Sequence, residues 1–89
     1  MFGGGLSKSD RLIARLLTRP PDFTWEELIR LLRKLSYKEA QVGKTAGSRR
    51  RFVHATAAAI SLHKPHLGNI LKQYQIEQLI DLLKQERLI

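Results

Sequence analysis

Apolar residues recur at helical spacing in three segments of this chain, and at strand spacing between the second and third. Leu12, Ile13, Leu16 and Leu17 form the first helical stripe, which predicts a helix over 8–18 stopped by Pro20-Pro21. Ser7 and Asp10 stand at capping-box spacing before it, and Arg11, Arg15 and Arg19 fall on the opposite, solvated side. The next start is stronger. Thr24 can cap the amide of Glu27, Glu27 can reach back to Thr24, and Phe23 and Leu28 occupy the two staple positions, so a second helix begins at Trp25. Leu28, Ile29, Leu31, Leu32 and Leu35 wrap more than one of its faces, which predicts deep packing, with Arg30, Arg33 and Lys34 toward water. Trp25 opens this stripe and reads as core. A last helix, ending near Glu86, carries Ile76, Leu79, Ile80 and Leu83 at i, i+3, i+4, i+7.

Between these helices the period shortens. Strands are expected over 37–42, 50–54 and 59–64, with small and turn-forming residues over 43–47 joining the first two. In the third, Ile60 and Leu62 alternate with Ser61 and His63, so one face is buried and the other open. If Phe52 points to the core, Arg50 and His54 share its side, and Arg49, Arg51 and Val53 share the open face with His63. The segment joining the last two strands has no Gly, Asn or Pro and is poor hairpin chemistry. The order α-α-β-β-β-α predicts an α+β fold, a three-stranded antiparallel sheet with helices packed on one face.

Composition narrows the function. The 89 residues are 43% hydrophobic and 27% charged, which suits one small soluble domain over 7–89 after a flexible glycine-rich start at 1–6. There is no cysteine, hence no disulfide framework and no thiolate chemistry. The start MFGGG does not read as an export signal, and no stretch approaches the ~20 apolar residues that span a bilayer; the expected compartment is the cytoplasm. The net charge is +8, and it is concentrated. No acidic residue occurs between Glu39 and Glu77, whereas Lys44, Arg49, Arg50, Arg51, Lys64 and Lys72 fall there with all three histidines, His54, His63 and His66. Such a region suits a polyanion, here RNA, and holds groups able to exchange protons near neutral pH.

Two stretches, GKTAGSRRRFVH and SLHKPHLGNILKQYQIEQLIDLL, resemble the HicA family of bacterial toxins. The DFTWEEL opening of the second helix and the Leu35-Ser36-Tyr37 turn are also similar, so the resemblance covers roughly residues 22 to 89 and leaves the first helix outside. It implies a double-stranded-RNA-binding-domain-like fold, a ribonuclease that cleaves messenger RNA to stop translation, and a HicB-type antitoxin partner. One position departs from the family. Where HicA proteins carry Gly-Ser-His with a catalytic histidine, this chain has Gly47-Ser48-Arg49. Arginine cannot take a proton from a ribose 2′-hydroxyl, but it can hold a phosphate and stabilise charge building on it.

Metal-free RNA cleavage needs a base, an acid and donors around the phosphate. The expected catalytic set is therefore His63 for acid or base function, Arg49 on the phosphate and His66 assisting. Lys44, Ser48, Arg49, Arg50, Arg51, Lys64 and Lys72 are the expected RNA-binding residues. His54 is expected to be structural. His63-x-x-His66 offers two metal ligands without a third in basic surroundings, so neither a metal nor another cofactor is expected. A non-catalytic RNA-binding module of the same fold is one alternative. A protein-interaction domain for an acidic partner is another, and cleavage products and salt-dependent RNA affinity separate the three.

Overall fold

A computed structural model of the chain describes residues 8–41, 47–65 and 68–89. The order is α1 (Lys8–Leu17), α2 (Trp25–Lys34), β1 (Lys38–Ala40), β2 (Arg49–Val53), β3 (Ile60–His63) and α3 (Gln73–Gln85). The three strands form one antiparallel sheet in the order β1-β2-β3. The fold is thus α+β with an open sheet, and no described helix is long and apolar enough to cross a membrane. Ser7, the segment 1–6, Val42, Lys44 and His66 lie outside the described residues.

The core joins the helical stripes to one face of the sheet. Leu16 of α1, Trp25, Leu28, Leu31 and Leu32 of α2, and Ile76, Leu79, Ile80 and Leu83 of α3 are buried with Phe52, Ile60 and Leu62 of the strands. Trp25 packs on Phe52 at a ring separation of 6.0 Å. The capping box at α2 is present in full: Thr24 Oγ1 accepts from the Glu27 amide at 3.1 Å and Glu27 Oε1 accepts from the Thr24 amide at 2.9 Å.

Three local features differ from the expectation, each for a hydrogen-bonding reason. Arg15 and Arg19 lie on the solvated side as expected but are not free there. Arg15 bonds Glu27 of α2 at 2.7 Å and Asp22 at 3.1 Å, and Arg19, just past the end of α1, bonds Glu77 of α3 at 3.0 Å, so α1 and the turn after it are tied to both other helices by charge. The first strand starts one residue late, because the Tyr37 amide is taken by Leu32 O in the Schellman turn that ends α2, with Ser36 at φ 72°. The second strand spans 49–53 and not 50–54, because His54 leaves the ladder to build the next turn. Its Nδ1 accepts from the Thr56 and Ala57 amides at 3.1 and 3.0 Å, which supplies the turn chemistry that glycine or asparagine provides elsewhere.

Candidate nucleic-acid interface

Strand alternation and pairing register decide which side chains meet on the open face. Arg49 pairs with His63, Arg51 with Ser61 and with Ala40, and Val53 with Lys38. Residues directly opposite each other share a face, so Lys38, Ala40, Arg49, Arg51, Val53, Ser61 and His63 stand opposite the buried Phe52, Ile60 and Leu62. Arg49, Arg51, Ser61 and His63 are all exposed. The Lys64 amide donates to Ser48 O at 2.9 Å. That bond flanks the Arg49–His63 pair, which is therefore the close, non-hydrogen-bonded kind, with its two side chains near each other.

The approach to this pair is also built locally. Gly47 has φ +63°, a left-handed conformation, and no atom crowds the position of a Cβ there, so backbone conformation rather than space favours glycine. Ser48 follows, and its Oγ lies 3.3 Å from His63 Nδ1. Behind the strand, the buried Gln75 of α3 donates from Nε2 to the His63 carbonyl at 3.0 Å and accepts from the Lys72 amide at 3.0 Å. Gln75 thus clamps the end of β3 against the start of α3. Nothing in the spacing of the chain singles out this glutamine, because its role depends on how β3 meets α3.

Not every expected residue joins the group. Arg50 turns to the helix side, where Nε lies 3.6 Å from Glu39 and Nη1 donates to Gly47 O at 2.9 Å. His54 packs against the Tyr37 ring, tilted by 59° at a centroid separation of 4.9 Å, and closes its turn. Lys64 and Lys72 flank a cleft of ≈ 480 Å³ at the edge of the open face, which His63, Ser48, Ile70 and Tyr74 also line. A smaller groove of ≈ 310 Å³, between α2 and β1, is lined by Ile29, Leu32, Tyr37 and Phe52 and contains no imidazole.

The carboxylates are arranged in the complementary way. Asp22, Glu27, Glu39 and Glu77 form ion pairs away from the open face. Glu26 accepts from Asn69, and Glu86 from the Ala58 amide. Arg15 holds the Glu27 carboxyl below its ordinary titration range, against the opposing effect of burial. Among the described strand residues of the open face there is no carboxylate. An open, cationic sheet face with one imidazole opposite a guanidinium can hold a phosphate and exchange a proton beside it.

Residues 25–86 match the family model described as HicA toxin of bacterial toxin-antitoxin. The chain belongs to the HicA toxin family. It is accordingly the toxin side of a toxin–antitoxin pairing. The matched span opens on the first residue of α2 and closes just beyond α3, so all three strands of the HicA toxin lie within it and α1 lies outside. No curated protein and no solved structure matches the chain significantly.

Proposed function

We propose that this HicA toxin is an endoribonuclease that cleaves messenger RNA without a metal ion, through the open face of its sheet. The supporting observation is the direct opposition of Arg49 and His63 on a face that carries cations and no described carboxylate. In this reading the ribose 2′-oxygen attacks the adjacent phosphorus while the bond to the 5′-oxygen breaks. A base takes the 2′-hydroxyl proton and an acid returns one to the leaving 5′-oxygen, giving a 2′,3′-cyclic phosphate and a 5′-hydroxyl. His63 performs one of these transfers. Ser48 engages its Nδ1, which leaves Nε2 for the RNA. His66 assists the other transfer. Arg49 stabilises charge developing on the phosphate, and Arg51 and Lys64 hold the neighbouring backbone. Arg49 occupies the place of the catalytic histidine of the family triplet, so proton transfer has moved across the strand pair to His63. A HicB-type antitoxin holds the toxin inactive.

One observation favours a second reading. His63 is the only imidazole among the described residues of the open face, and the reaction uses two proton transfers. A HicA-fold protein that binds RNA without cutting it would show this arrangement. The experiment that separates the readings is incubation of the purified protein with an end-labelled RNA in EDTA, followed by analysis of the product ends. Shortened RNA ending in 2′,3′-cyclic phosphate supports cleavage. RNA that is retarded on a gel but never shortened contradicts it in favour of the binder.

A further inference from the structure

The cleft beside His63 contains a feature that neither phosphate binding nor proton transfer uses. Tyr74 is 54% exposed and Ile70 38% exposed, the two most exposed large apolar side chains among the described residues, and both line this one cleft. Single exposed apolar residues are ordinary; two sharing a cleft with cations call for an explanation. Neither serves the core. The buried side of α3 consists of Gln75, Ile76, Leu79, Ile80 and Leu83, and Tyr74 stands off it, while Leu71 rather than Ile70 carries the inward position of the preceding loop.

The platform is also held rigidly. The segment before α3 is stitched to the α1–α2 connection: the Trp25 amide donates to Asn69 O at 2.8 Å, the Leu71 amide to Phe23 O at 2.9 Å, and Thr24 and Ile70 form a bridge. Gln73 Nε2 donates to Pro20 O at 3.0 Å, and Gln75 fixes the first turn of α3 to β3. An exposed aromatic ring on an anchored backbone loses little entropy when a flat partner settles on it. Lys64 and Lys72 at the rim give the cleft the sign that suits a phosphodiester, and its ≈ 480 Å³ falls within the roughly 300–1,000 Å³ of sites that hold small organic ligands.

We propose that Tyr74 and Ile70 form a stacking subsite for one unpaired nucleobase of the RNA, next to the phosphate that Arg49 holds opposite His63. The proposal rests on the RNA reading above and adds a substrate requirement: the base beside the cut must be free to leave its stack, because a π-face is available to a side chain only on an unpaired base. The toxin then selects single-stranded segments even though its sheet-and-helix fold resembles a duplex-binding one.

The test uses the full chain and three fluorescently labelled probes: a single-stranded RNA with 2′-O-methyl groups that block cleavage, the same sequence as a duplex, and a base-free sugar–phosphate oligomer of equal charge. Tyr74→Ala should weaken binding of the single strand about 5- to 160-fold, the range of one base–aromatic stack. Its affinity for the base-free oligomer and for the duplex should stay within about twofold of the wild type, with the salt dependence unchanged, since no phosphate contact is lost. Tyr74→Phe, which keeps the ring, should bind the single strand within about threefold of the wild type. Equal binding of the single strand by Tyr74→Ala and wild type overturns the subsite alone and assigns the exposed ring to another contact, such as the antitoxin. Wild-type protein that binds none of the probes overturns the subsite and the RNA reading together.

Discussion

Glu27 closes the N-terminus of α2 and anchors α1 to it with a single carboxylate. It accepts from the Thr24 amide and from Arg15, whose guanidinium also lies 5.7 Å from the Phe23 ring. Because Arg15 chiefly lowers the carboxyl's pKa in the folded state, these contacts stabilise the fold fully above the ordinary value of 4.5, and their contribution disappears as pH falls below it. Glu27→Gln should cost about 1–2 kcal/mol at pH 7, from the cap and the charge-assisted bonds together, and should flatten the loss of stability between neutral and acid pH. Urea denaturation at two pH values measures both effects. The capping half of this site is readable from the chain because Thr24 and Glu27 are three residues apart. The Arg15 half is not, since it depends on how two helices cross. The same division holds for His54: a structural role is expected from the pattern, but its use as a turn-former just past β2 requires knowing that two backbone amides converge on its ring.

At the scale of elements, helix and strand periods carried most of the information, and hydrogen-bond competition set the ends. The three helices and the inward and outward sides of β2 and β3 are evident in the apolar pattern, including the grouping of Arg49, Arg51 and His63. The start of β1 is not, because the Tyr37 amide is claimed by Leu32 O in the α2 turn. That turn places Ser36 at φ 72°, where a side chain is disfavoured and glycine is not. Ser36→Gly should therefore raise stability by about 0.5–1 kcal/mol without moving β1. A higher denaturation midpoint at an unchanged slope is the expected result. Gln75 shows the limit of pattern reading in the same way. It occupies a buried position next to the stripe of α3, where a polar residue carries no periodic signal, and its meaning appears only when the β3 carbonyl it binds is in place.

Over the described molecule, the sheet sorts its charge by face. The eleven-residue run GSRRRFVHATA contains three adjacent arginines, yet the strand divides them: Arg49 and Arg51 face outward, and Arg50 pairs with Glu39 on the helix side. By composition the three arginines are alike; by face they differ, and RNA binding can distinguish them. The joint Arg49→Ala, Arg51→Ala variant should flatten the dependence of log affinity on log salt by about 1.4, the equivalent of two phosphate contacts to a single strand. Arg50→Ala should leave that slope where it was and cost at most about 1 kcal/mol of stability, as an exposed ion pair does. Equal slope changes for all three arginines would mean that RNA senses the total charge of the chain and not the open face.

His63 is proposed to move a proton for a phosphate bound on that face. This role is tested most directly by single-turnover cleavage of an end-labelled RNA in EDTA by wild type and His63→Ala, with RNA affinity measured on the same preparations. If His63 moves that proton, the variant's rate constant falls by about 10²- to 10⁴-fold, the usual contribution of general acid–base catalysis, with affinity within about threefold of the wild type. Unchanged cleavage by His63→Ala, or a loss of cleavage that only tracks a loss of binding, would contradict that role.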